Sequence, residues 1–104
     1  MVFARMSTWH FKKGKRKQAF LEIDKILNTE TRHVDGFRGY MSLLSREDPN
    51  VATILTLWQD EETLKKTETG TIQKAIRNVK DSLESPPRID NFRVFSTELF
   101  QHSE

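Results

Sequence analysis

Cysteine is absent from the 104 residues, so the chain offers neither disulfides nor thiolate metal ligands. No charge of one sign dominates either: 17 basic residues stand against 15 acidic ones for a formal net charge of +2, although the sequence pI is near 9.0. That balance excludes the strongly basic footprint of a nucleic-acid binder. The longest apolar runs are a few residues, far short of the roughly 20 that a membrane-crossing helix needs, and the first residues carry no apolar core of a signal peptide. A soluble, cytoplasmic protein with no membrane partner is the expectation. No internal repeat or low-complexity segment is present, and the length is that of one domain, taken as residues 1–104.

What the chain does contain is periodicity. Residues 2–11, VFARMSTWHF, place Phe3, Trp9 and Phe11 on one parity and Val2, Ala4 and Met6 on the other, the pattern of a strand with both faces covered. Gly14 then gives a turn, and Ala19, Phe20, Ile23, Ile26 and Leu27 recur at helical spacing in a segment predicted from Lys15 to about Thr31. After Asp35-Gly36, residues 37–46 and 51–58 read as strands joined at Glu47-Asp48-Pro49-Asn50, hence an antiparallel hairpin, with Gly39 marking a bulge or a close backbone approach. Asp60 is a good N-cap, and Glu61 and Glu62 place negative charge where the helix dipole favours it. Gly70-Thr71 breaks that helix. A second piece, with Ile72, Ala75, Ile76, Val79 and Leu83 on one face, is predicted to run to Ser85-Pro86-Pro87. Residues 88–100 close the chain as a last strand, with Phe92, Val94 and Phe100 on one parity and Ile89, Phe95 and Leu99 on the other.

The order β, α, β, β, α, β is the α+β ferredoxin-like arrangement, a four-stranded antiparallel sheet with both helices on one face. The second sheet face also carries apolar residues. With no further helix to cover it, the same face of a second copy is the simplest cover, so a homodimer is expected.

Taken together, Gly14, the Gly36-Phe37-Arg38-Gly39-Tyr40 run, Asp48-Pro49-Asn50, Thr56-Leu57-Trp58 followed by Asp60-Glu61-Glu62, and Pro86-Pro87 resemble the antibiotic biosynthesis monooxygenase family of dimeric α/β barrels. The resemblance implies two ferredoxin-like subunits packed sheet to sheet, each with a cleft between helices and sheet. It also implies two chemistries. In the haem-degrading branch an Asn, a Trp and a haem-ligating His carry the reaction, and an ungapped alignment places them on Ser7, Thr67 and Arg77. All three differ, and an arginine cannot act as an axial imidazole, so haem turnover is disfavoured. In the cofactor-independent branch the protein binds an electron-rich phenol or anthrone, helps it lose a proton and shields the carbanion from water. The resemblance thus implies a monooxygenase without cofactors acting on a small aromatic or polyketide-like molecule. The alternative is a non-catalytic, small-molecule-binding or stress-related protein of the same fold.

Candidate catalytic residues on this reading are Ser7 and Arg77, the arginine stabilising oxyanion charge; Trp9, Tyr40, Trp58 and Thr67 are candidates for substrate binding, and Arg5 shares the parity of Ser7 and Trp9. Each has a plainer reading. Trp58 at a strand end serves packing in most folds. His10 adjoins Trp9 and so faces the other side of the sheet, which removes it from any cleft that Trp9 lines. His33 and His102 have no partner at metal-ligand spacing, so no metal is expected. The run Lys12, Lys13, Lys15, Arg16, Lys17 lacks interleaved aromatics and reads as a solvated turn.

Overall fold

The computed structural model describes residues 2–98. Four strands form one antiparallel sheet in the order β2-β3-β1-β4: β1 is Phe3–His10, β2 Phe37–Leu44, β3 Val51–Trp58 and β4 Arg88–Arg93. Helix α1, Arg16–Thr29, follows β1; α2, Glu61–Lys66, and α3, Thr71–Val79, follow β3. This is the ferredoxin-like α+β fold expected from the sequence, with the hairpin and the break between α2 and α3 at the predicted places and β1 paired with β3 at the centre of the sheet.

Alternation along the two central strands decides what faces the helices. Arg5, Ser7 and Trp9 on β1 and Ala52, Ile54, Thr56 and Trp58 on β3 are all buried. Helix α1 returns Ala19, Phe20, Ile23, Ile26 and Leu27 to that face, and α3 adds Ala75 and Val79. Trp9 stacks on Phe11 with ring centroids 6.4 Å apart, and Phe11 meets the edge of Phe20 at 6.2 Å, so the core is continuous from sheet to helix.

The helix ends are held in different ways. Lys15 caps α1 without a side-chain bond, while the Arg16 guanidinium donates to the Ser45, Val51 and Asp48 carbonyls at 2.9, 3.1 and 3.2 Å, tying the helix start to the β2–β3 turn. Asp60 caps α2 as expected, accepting from the Thr63 N–H at 2.8 Å and from the Thr63 hydroxyl. Those two bonds hold the Asp60 carboxyl below the usual carboxylate range.

Three boundaries differ from the sequence reading. Strand β2 stops at Leu44 rather than Arg46: the last cross-strand bond runs from the Ser45 N–H to the Val51 carbonyl at 3.1 Å, and the Val51 N–H turns back to the Asp48 carbonyl at 3.2 Å. Helix α3 ends at Val79 in a 3-10 turn, Lys80–Ser82, and Leu83 is no longer helical: it pairs with Phe11 in an antiparallel bridge. Hydrogen bonds from Lys12 N to Ser82 O and from Glu84 N to His10 O, each 2.8 Å, extend β1 there at the helix's expense. Strand β4 ends at Arg93, and Phe95 is fully exposed; Leu99 and Phe100 lie outside the described residues, as does His102.

The other sheet face is apolar and open. Met41, Leu43 and Phe92 are each nearly half exposed there, beside half-buried Leu55 and Leu57. Gly39 does mark a bulge, since the β2–β3 register shifts between Phe37 and Gly39. Among the described residues no helix is long and apolar enough to cross a membrane.

Three glycines adopt positive φ, Gly39 at the bulge among them, and the other two differ in their surroundings. At Gly14, φ 77°, a Cβ would have no neighbouring atom within 4 Å, whereas at Gly36, φ 91°, a Cβ would meet the Thr63 side chain at 2.7 Å. Gly14→Ala therefore costs only the left-handed backbone penalty, about 1 kcal/mol, and Gly36→Ala costs that plus a steric term, about 2–4 kcal/mol in total. Urea denaturation followed by circular dichroism measures both; equal losses would show that Thr63 does not crowd Gly36.

Candidate functional site

The two tryptophans lie on adjacent antiparallel strands at opposite ends of the pairing, since Trp9 sits opposite Ala52 and Trp58 opposite Phe3. Each is fully buried and each indole points its N–H back along its own strand. Trp9 Nε1 donates to Ser7 Oγ and Trp58 Nε1 donates to Thr56 Oγ1, both at 2.9 Å. The i, i+2 spacing on one sheet face makes this possible, because both side chains of each pair leave the strand on the same side.

Between them lies Arg5, opposite Thr56 and 3% exposed. Its guanidinium donates to the Leu64 carbonyl, to Thr67 Oγ1 at 2.8 Å and to Asn91 Oδ1 at 3.2 Å, and lies 3.4 Å from the Glu68 carboxylate. Asn91 in turn donates to Glu68 at 2.9 Å, and the Thr67 hydroxyl donates to Leu64 O at 2.9 Å. Burial pushes the guanidinium below the usual arginine value while the charge of Glu68 and its hydrogen bond oppose that shift. The group keeps its proton, as arginine does in proteins, so one positive charge sits inside the fold.

These residues wall a cavity of about 40 Å³ between sheet and helices. Ser7, Thr56, Arg5 and the two indoles form the floor; Ile23, Ile26 and Leu27 of α1 and Ala75 of α3 form the sides; Thr31 and Thr67 contribute hydroxyls. Thr71 and Ile72 are the half-buried residues of this lining and mark its mouth. Among the described residues no carboxylate, imidazole or amine lines the cavity, and Arg5 is its charged group. Such a volume accommodates one or a few water-sized groups, whereas a benzene ring needs a cavity of roughly 150 Å³. A flat aromatic molecule can therefore enter only with movement at the mouth.

Four of the sequence candidates converge here: Ser7, Trp9, Trp58 and Thr67. Two do not. Arg77 is exposed, because it follows Ala75 by two positions and so lies roughly 200° around α3 from that buried residue. Tyr40 lies on the edge strand β2, where it packs on the core and donates to Asn28 Oδ1 of α1 at 2.7 Å. Its phenol is pushed up by desolvation and by the nearby Asp24 carboxylate, so it is a neutral donor there. Neither residue reaches the cavity. The sequence reading passed over Thr56, although its parity with Trp58 was a usable signal, and Thr31, for which no pattern in the sequence gave one. His10 and His33 are exposed, and among the described residues no group of three or more histidines and carboxylates is arranged to hold a metal.

The family model for antibiotic biosynthesis monooxygenases matches residues 2–78. The chain belongs to that family. Similar solved structures include a conserved protein from Methanosarcina mazei, 21% identical with a TM-score of 0.75, covering 89% of this chain and 92% of that one. A protein of unknown function from Nitrosomonas europaea is 16% identical with a TM-score of 0.80, over 97% and 96% of the two chains. A candidate antibiotic biosynthesis monooxygenase from the same organism is 15% identical with a TM-score of 0.76, over 90% of each. At these identities the likeness is one of fold. No curated protein matches the sequence. Within this family fold, then, Arg77 is a surface residue and Arg5 the cation of the cleft.

Arg5 joins β1 to α2, to the link before α3 and to β4, so its loss destabilises the fold. Arg5→Met removes every bond of the fork and leaves Leu64 O and the Thr67 hydroxyl without it, at a cost of about 2–4 kcal/mol in urea denaturation. Arg5→Lys recovers little, since one ammonium cannot span groups arranged for a planar fork. A loss below about 1 kcal/mol for Arg5→Met would show that the network is incidental to stability.

Proposed function

We propose that the protein is a cofactor-independent monooxygenase acting on a small aromatic or polyketide-like substrate. The observation that carries the reading is an apolar cleft containing one buried cation and several hydroxyls, with no acid or base of its own. Such a site suits a substrate that is itself acidic and electron-rich. Its oxygen is bound as the anion, stabilised by the Arg5 charge and by hydroxyl donors in a low-dielectric setting. A methylene between aryl rings then loses a proton to water at the mouth, and the carbanion gives electrons to dioxygen. One oxygen atom replaces the two methylene hydrogens as a carbonyl and the other leaves with them as water, so the methylene carbon supplies all four electrons that dioxygen takes up and no redox cofactor is required. In this reading Ser7 is the catalytic hydroxyl, Arg5 replaces Arg77 as the source of charge, Trp9 and Trp58 provide aromatic walls, and Thr67 holds Arg5 in place.

One observation favours the second reading, a small-molecule binder without turnover: the cavity is too small for a ring as it stands, and it lacks a proton acceptor. Oxygen uptake separates the two. With 1,8-dihydroxyanthrone and simple naphthoquinols, the oxygenase reading expects protein-dependent uptake above autoxidation, without accumulated peroxide. Ser7→Ala should lower kcat about tenfold or more, and Arg77→Ala should leave it unchanged. Uptake no faster than autoxidation across the panel would leave the binder.

The proposal includes a homodimer closed through the open sheet face, where Met41, Leu43 and Phe92 would be covered. It also keeps the cytoplasm as the place of action. Light scattering on the eluting protein should give a mass of two chains, and Leu43→Glu with Met41→Glu should shift it to one; a monomeric wild type would rule the dimer out.

A further inference from the structure

Thr31 stands apart from the other hydroxyls of the cleft. It is 2% exposed, lines the cavity just past the end of α1, and its Oγ1 has no hydrogen-bond partner among the described residues. Leaving a buried hydroxyl unpaired costs free energy, and such groups in native folds are few enough that each calls for a cause.

The remaining polar valences of the cavity are set by the indoles. Ser7 Oγ and Thr56 Oγ1 each receive an N–H from a tryptophan, which occupies acceptor capacity and leaves the hydroxyl proton of each without a protein acceptor. Thr67 is spent, since it accepts from Arg5 and donates to Leu64 O. Ser7 is opposite Ile54 and Thr56 is opposite Arg5, so the two hydroxyls are diagonal neighbours on the same face of β1 and β3. The cleft thus offers two free donors on its floor and one wholly unengaged hydroxyl on its wall, next to a fixed positive charge. A matching group must be an acceptor, and the surrounding indoles and aliphatic side chains suit a flat apolar body behind it.

We infer that Thr31 is a ligand-recognition residue, and that with Ser7 and Thr56 it binds the carbonyl oxygen of an aromatic ketone. The inference rests on the cleft being the ligand site of the proposed function, but not on turnover. The closed cavity admits an oxygen-sized group, so the carbonyl enters first and the ring lies towards Thr71 and Ile72 at the mouth. Thr31 then acts in specificity: a molecule of the same shape without the oxygen would leave Thr31 unpaired and the hydroxyl protons of Ser7 and Thr56 without an acceptor.

The test compares 1-tetralone with tetralin, which differ only in the carbonyl, by calorimetric titration of the intact protein. The wild type should bind 1-tetralone about tenfold or more tighter than tetralin. Thr31→Val, which keeps the shape and removes the hydroxyl, should lower that preference several-fold by weakening 1-tetralone alone, and Thr31→Ser should restore it. A purely structural Thr31 would move both affinities together. If Thr31→Val does not fold by circular dichroism, Thr31→Ala carries the same comparison. Equal affinities in the wild type, no binding of either probe, or an undiminished preference without the Thr31 hydroxyl would each overturn the inference. Oxygen uptake that survives an unchanged preference would sink this inference and spare the oxygenase reading. Discrimination without any oxygen uptake would do the reverse.

Discussion

A guanidinium inside the sheet is the constraint that organises this molecule. Arg5 is buried in the middle of β1, where an unpaired charge would cost far more than the fold's whole margin of stability, so every neighbour is arranged to satisfy it. The Leu64 carbonyl and Thr67 come from the end of α2, Asn91 from β4, and Glu68 from the link between α2 and α3. One side chain therefore joins the end of α2, the start of the link to α3, and β4, which the backbone ladder already holds against β1. The break between the two helices, at Gly70, follows directly on the residues that bind Arg5.

The same need to pair buried polar groups shapes the cleft. Two indole N–H groups must be satisfied beneath an apolar helix layer, and each finds a hydroxyl two residues back on its own strand. Packing thereby produces chemistry: the rings that complete the core also orient hydroxyls towards the space between them. Trp9 and Trp58 serve both the structural and the binding reading, and there is no need to choose one. What separates this cleft from a general acid-base site is that, among the described residues, the one titratable group in its wall is an arginine that keeps its proton.

Much of the fold was legible because it rests on local patterns. Strand alternation in residues 51–58, the helical stripe from Ala19 to Leu27, the Asp60 cap and the Gly39 bulge were each visible as residue types at known spacings. The misplaced ends had non-local causes. Leu83 fits a helical stripe by spacing, yet the free edge of Phe11 offers it a strand partner instead. Phe95 continues a strand parity, yet the pairing with β1 runs out just before it, at the bond from the Val94 N–H to the Val2 carbonyl, 2.8 Å. The site was half legible for the same reason. Strand parity grouped Arg5, Ser7 and Trp9 correctly, but Arg77 was placed by alignment against relatives, and the phase of α3 turns it outwards.

By itself the sequence determined the element order and the two faces of each strand, since these follow from period, caps and turn residues along the chain, and its short motifs carried a resemblance to the family that the match over residues 2–78 shows. Only the tertiary structure decided that Arg5 rather than Arg77 charges the cleft, that Tyr40 serves the sheet edge, and that Thr31 and Thr56 join Ser7 around one cavity. Those facts depend on the rotational phase of a helix and on contacts between residues far apart in the chain. Burial makes such contacts binding, because a polar group removed from water must find its partner wherever the fold has brought one.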